Sequence, residues 1–179
     1  MKSALRAAED FLNSQDCRFE RVDDSTLLTH LGGRNVNFAA VLHADEEQRS
    51  LLVLAMCPVI VPKDRRLEVL ELVAKLNWKM TLGSLQLGDA GEIRYRTSIM
   101  FGEAEAVEEL VEHVFFSNLA MFDHHFPAIT DVVFGGMKAQ DAIDRNRPER
   151  LLINEAQAPK ASRNAGFGGR LGKLIEGRN

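Results

Sequence analysis

Residues 63–80, KDRRLEVLELVAKLNWKM, limit what this chain can fold into more than any other stretch does. Pro62 opens the segment, at a helix position where its missing N–H costs nothing. At about 100° per residue, Val69, Leu72, Val73, Leu76 and Met80 share one face of the helix. From Leu67 on, charge is confined to a stripe of Glu68, Glu71, Lys75 and Lys79, and Leu67, Leu70, Ala74 and Trp78 lie on further flanks. Roughly two-thirds of the circumference is therefore free of charge. One sheet covers one face of a helix. This helix needs a second surface against it: another helix, a second subunit or a client polypeptide. Leu67, Leu70, Ala74 and Trp78 are the expected contact residues on that flank.

The rest of the chain supplies a sheet and two more helices. Ala4, Leu5, Ala8, Phe11 and Leu12 stand at helical spacing, with Ser3 placed to cap the helix. Residues 17–22 alternate weakly. Strand-like runs occupy residues 26–31, 36–43 and 50–60. In the second, Val36, Phe38, Ala40 and Leu42 share a side. The third is apolar almost throughout, as expected of a central strand covered on both faces. The polar DEEQR of residues 45–49 joins the last two as a hairpin connection. Residues 83–87 and 92–101 read as a second hairpin around Gly88-Asp89-Ala90-Gly91. Leu85 and Leu87 face Ile93 and Tyr95 across it, and Arg94 and Arg96 point the other way. Only residues 81–83 separate this hairpin from the wide apolar helix. The two should form one packing unit, with Trp78 as filler at the junction.

A last long helix starts at Glu105 and carries Val107, Leu110, Val111, Val114, Phe115, Leu119, Phe122, Phe126, Ile129, Val132 and Val133 on one face. Pro127 should kink or interrupt it, and Gly135-Gly136 ends it. Asn118 and His125 sit in the middle of its apolar stripe. Hydrogen-bonded positions at the margin of the core or at a subunit interface suit both; a polar mark facing a partner is the sharper reading. Residues 138–144 form a short helical piece.

Chemistry leaves little trace. Asp123-His124-His125 with His113 is the best metal candidate, but adjacent helical residues diverge by about 100° and cannot chelate one ion together. His113 and His124 share a face about 16 Å apart along the axis. Gly-x-Ser-x-Gly, the phosphate-binding Gly-x-x-x-x-Gly-Lys and the strand-linked Gly-x-Gly-x-x-Gly are absent. Cys57 lies in an apolar run that disfavours a thiolate, and Cys17 and Cys57 have no paired spacing. Catalytic, cofactor-binding and metal-ligating residues are therefore not expected.

With 179 residues, 45% of them hydrophobic, the chain suits one domain plus extras. No apolar run reaches the roughly 20 residues a bilayer span needs. Acidic residues stand where a secretory signal would carry its apolar stretch, so a cytoplasmic location is expected. The net charge of −4 is unevenly spread. From Arg145 onward eight basic residues face three acidic ones, leaving that segment at +5 and the first 144 residues at −9. Residues 164–179 hold five glycines and read as a flexible tail. Its mixture of Arg, Gly and one aromatic is of a kind that contacts nucleic acid non-specifically. An inert tail, one folding back on its acidic body, or a docking motif at Leu171, Leu174 and Ile175 are the alternatives.

VPKDRRLEVLELVAKLNWKMTLGSLQLGDAGEIRYRTSIMF, residues 61–101, resembles the YbjN family. The resemblance lies in the Pro-initiated helix, the Leu76-Asn77 pair, the Gly83 strand, the Gly-containing turn and the Ile93-Arg94-Tyr95-Arg96 strand. Members of the family are labelled bacterial sensory transduction regulators, with a fold like that of type III secretion chaperones. The resemblance covers residues 3–144. It implies an α+β domain over residues 1–144, with an N-terminal helix, a curved antiparallel sheet, a helix inserted before the final hairpin and a long closing helix. It further implies a domain that dimerises and binds other polypeptides instead of turning over substrates. Residues 145–179 depart from the family core. Three functional classes follow. The first is a non-enzymatic, homodimeric, protein-binding chaperone or adaptor touching its partner through Leu67, Leu70, Ala74 and Trp78 or through Asn118 and His125. The second is a regulator contacting nucleic acid through its tail. The third is an enzyme or ligand sensor with a site assembled across a dimer.

Overall fold

The computed structural model describes residues 3–101 and 108–147. Helix α1 (Ala4–Ser14) is followed by strands β1 (Phe19–Arg21), β2 (Thr26–Gly32), β3 (Asn37–Asp45) and β4 (Ser50–Ile60). A 3-10 turn over Lys63–Arg65 leads into helix α2 (Arg66–Asn77). Strands β5 (Ser84–Leu87) and β6 (Glu92–Met100) come next, then helices α3 (Glu108–Val133) and α4 (Ala139–Arg145). The six strands form one curved antiparallel sheet in the order β1-β2-β3-β4-β6-β5. The α+β class and the element order expected from the sequence are both present. The helix start expected at Glu105 and the tail beyond Arg147 lie outside the described residues.

Each strand buries alternate residues, because successive side chains point to opposite faces. Leu27, Leu42, Val53 and Tyr95 are among those on the covered face, where α1 and α3 pack. Phe11 of α1 meets Phe115 edge-on at a centroid distance of 5.2 Å, and Phe38 of β3 meets Phe122 in the same way at 5.2 Å. Such edge-to-face pairs contribute about 1 kcal/mol beyond their burial. The hairpin register agrees with the sequence reading: Leu85 pairs with Tyr95 and Leu87 with Ile93. Gly91 takes φ +96 in the turn between them.

Two expectations are corrected here. Strand β4 is not covered on both faces. Leu51, Val53, Ala55 and Cys57 are buried, but Leu52, Leu54 and Met56 remain half-buried on a second face that no described helix covers. Its apolar continuity reflects this half-exposed face, which Leu28 and Val41 extend in register with Leu54. Nor does Pro127 interrupt α3, which runs on for six residues beyond it. The carbonyl that Pro127 cannot bond is that of Asp123, four residues earlier. The side-chain amide of Asn35 donates to it at 2.9 Å.

Caps anchor the helices to distant segments. Ser3 Oγ accepts from the Arg6 N–H, as its position predicts. The Glu46 carboxylate, from the β3–β4 connection, accepts from the N–H groups of Ala4 and Leu5. Glu68 of α2 accepts from the Ala139 N–H at 2.7 Å and pairs with Lys138 at 3.0 Å, so α2 caps α4. These bonds hold the Glu68 carboxyl below its ordinary range.

Candidate functional site

Helix α2 has two apolar sides. Val69, Leu72, Val73 and Leu76 are buried against β5, α3 and α4. On the opposite side Leu67 is 82% exposed, Leu70 47% and Trp78 88%, and Ala74 between them is also exposed. Positions 67, 70, 74 and 78 recur every three or four residues and so form a straight stripe about 16 Å long. The Glu71–Lys75 ion pair, at 3.5 Å, borders the stripe. The sequence singled out these four residues together, and the structure places them together on open surface. It corrects one detail: Trp78 does not fill the helix–hairpin junction.

Polar groups fill that junction instead. Asn77 Nδ2 donates to the Leu85 carbonyl at 2.9 Å and its Oδ1 accepts from the Leu85 N–H at 2.9 Å, much as a neighbouring strand would. Tyr95 donates its hydroxyl proton to the Leu82 carbonyl. Burial pushes that phenol up to about 12. The Arg66 guanidinium binds the carbonyls of Asp89 and Ala90 at 2.5 and 2.7 Å, tying the hairpin tip to the start of α2. At the same end, Arg65 binds the Val132 carbonyl at the C-terminus of α3. The stripe is thus carried on a helix fixed at both ends. Residue pattern alone reveals none of these bonds, since Asn and Arg near helix ends have many possible partners.

Asn118 is corrected as a contact residue. It is wholly buried within the protomer. Its Nδ2 lies 3.0–3.1 Å from the Val53 and Tyr95 carbonyls and Thr97 Oγ1, linking α3 to β4 and β6. Asp123, the first member of the metal candidate, is a clamp. Its carboxylate accepts from the N–H groups of Arg34, Asn35 and Val36 at 2.9–3.2 Å, fixing the β2–β3 turn against α3. Gly33 is required there, because a Cβ would lie 2.1 Å from Asp123 Oδ1.

His125 is half-buried and lines a groove between the C-terminal end of α2, the middle of α3 and α4. His113 and His124 line the same groove, which encloses about 590 Å³ beside Leu76, Met121 and Ile143. Burial pulls the His125 imidazole down to about 3, with the adjacent His124 lowering it further. Burial also lowers His124, against the pull of Asp123. Neutral imidazoles on an apolar wall suit the packing of an uncharged segment. Among the described residues no group of His, Cys, Asp or Glu is placed to hold a metal ion. Cys17 and Cys57 are free, and burial pushes both thiols above their ordinary value, which disfavours the nucleophilic thiolate. No helix among the described residues is long and apolar enough to cross a membrane.

The profile of the YbjN family, described as "Putative bacterial sensory transduction regulator", matches residues 8–131. No curated protein matches the sequence. Solved structures with a similar fold include "Crystal structure of YbjN, a putative transcription regulator from E. coli", at 14% identity and TM-score 0.49, covering 75% of this chain and 90% of that one. Similar also are chains of "Structure of the HopA1-SchA Chaperone-Effector Complex" (19% identity, TM-score 0.45, 65% of this chain and 87% of that one) and of "Crystal Structure of the ExsC-ExsE Complex" (15%, 0.46, 66% and 86%).

Proposed function

The chain belongs to the YbjN family, and on that footing we propose that it is a non-enzymatic, cytoplasmic, protein-binding domain of chaperone or adaptor character that works as a homodimer. The observation that carries this reading is the stripe of Leu67, Leu70, Ala74 and Trp78 standing in solvent on a helix whose other side is already buried. Leu and Trp left in water forgo about 1.5–3 kcal/mol each that burial would return. Aromatic and aliphatic anchors of this kind dominate protein interfaces. A straight stripe on one helix suits a two-fold axis, since the same patch on two copies can lie antiparallel against itself. His125, at the groove, is the remaining proposed contact residue. In this reading the α+β domain of residues 1–144 presents these surfaces.

Light scattering on the full chain after size exclusion tests the proposal. The wild type should elute as a dimer and Leu70→Lys as a folded monomer with an unchanged circular dichroism spectrum. A monomeric wild type, or a Leu70→Lys chain that remains dimeric, would contradict it. The same measurement with single-stranded nucleic acid added addresses the tail. Its first two cations are already engaged, Arg145 with Asp131 at 3.3 Å and Arg147 with Asp144 at 2.6 Å.

A further inference from the structure

The groove between α2, α3 and α4 is walled by Leu76, Met80, Met121, Ala128 and Ile143, and Arg147 stands on its lip. Arg147, the last described residue, thus stands at the edge of the groove. Helix α4 has already ended at Arg145, before Pro148. Three residues later comes an uninterrupted apolar run, Leu151, Leu152 and Ile153. An extended chain advances at most about 3.3–3.6 Å per residue, which brings residue 151 within roughly 14 Å of Arg147. The run can therefore reach the groove without disturbing α4.

We propose that residues 151–153 of the chain's own C-terminal segment occupy this groove as an intramolecular latch. The walls offer apolar surface for three branched side chains, and a volume of about 590 Å³ is that of a binding cleft rather than a packing defect. Lys79 on the rim matches the excess of Glu149 and Glu155 over Arg150 around the run. Neutral His124 and His125 add no charge that the run would have to desolvate. Tethering supplies a high effective concentration, so a client segment or a second copy must compete with a ligand that is always at hand.

Methionine methyl resonances of the full chain test the latch. Met80 and Met121 line the groove, while Met56 and Met100 lie on the uncovered face of the sheet and serve as references. In Leu151→Asp/Leu152→Asp/Ile153→Asp the signals of Met80 and Met121 should move and those of Met56 and Met100 should stay. The tail's other apolar cluster provides the control: Leu171→Asp/Leu174→Asp/Ile175→Asp should leave all four in place. In the Leu70→Lys chain, which should not dimerise through α2, the Met80 and Met121 signals should not depend on protein concentration. The latch is overturned if the first variant leaves Met80 and Met121 unmoved, if only the second variant moves them, or if all four signals move together. It is equally overturned if dilution of the Leu70→Lys chain reproduces the shifts, since a second copy would then fill the groove.

Discussion

Asn35 donates its side-chain amide to the main-chain oxygen of Asp123 at 2.9 Å, and that oxygen is the one Pro127 leaves without its helical partner. A turn between two strands thus repairs a defect inside a helix, and the same Asp123 carboxylate fixes the turn in return. The two segments should be energetically coupled. Asn35→Ala should cost about 1–2 kcal/mol, because it strands a buried carbonyl. In a Pro127→Ala background the restored N–H satisfies that carbonyl, and Asn35→Ala should cost about 1 kcal/mol less. A double-mutant cycle by urea denaturation measures the difference, and strict additivity would refute the repair.

Asp123 itself accepts three backbone N–H bonds while 5% exposed. Asp123→Ala should lower stability by about 3 kcal/mol or more, since it leaves several donors unpaired. Gly33→Ala should cost about 2 kcal/mol through the clash with the same carboxylate. Denaturant midpoints of the two variants check both values. A Gly33→Ala chain as stable as the wild type would show that the turn can give way.

Asn118 separates core from interface. Asn118→Ala opens a cavity and removes the donor to the Val53 and Tyr95 carbonyls, at a cost of about 2–4 kcal/mol. Because it lies inside the protomer, the variant should keep the oligomeric state of the wild type for as long as it remains folded. A change in mass by light scattering, with the fold retained, would place Asn118 at an interface after all.

His125 should make the fold acid-sensitive. His125 titrates at about 3 when folded, against about 6.5 when unfolded, so the unfolded chain binds the extra proton between those values. Stability from this residue is full above the unfolded value and is lost as pH falls below it, by about 2 kcal/mol at pH 5. His125→Leu should therefore flatten the dependence of stability on pH between 7 and 5. An unchanged slope in that variant would assign the acid sensitivity elsewhere.

What the sequence reveals and what it conceals divide along physical lines. The wide apolar arc of residues 67–80 is a property of one segment, and periodicity alone places Leu67, Leu70, Ala74 and Trp78 together. The pairing of Leu85 with Tyr95 is equally local, because a four-residue turn sets the register. Asn118 and Asp123 were not legible in the same way. Their partners lie between 21 and 89 positions distant, and one polar residue in an apolar stripe looks the same whether a sheet or another protein receives it. Strand β4 hides its open face for a related reason: Leu52, Leu54 and Met56 signal burial, yet no described helix covers them. Pro127 marked a broken helix, but a distant Asn35 takes up the freed carbonyl and the helix continues.

Trp78 is the chain's single tryptophan and belongs to the exposed stripe on α2. In an isolated protomer its indole is 88% exposed. The most direct measurement is its fluorescence emission across a dilution series of the wild-type protein, with light scattering at each concentration. Dimerisation through the stripe should give a blue-shifted, quencher-protected emission that moves to that of a solvated indole as the dimer dissociates. A solvated emission at every concentration, or a dimer whose indole stays fully open to quencher, would contradict it.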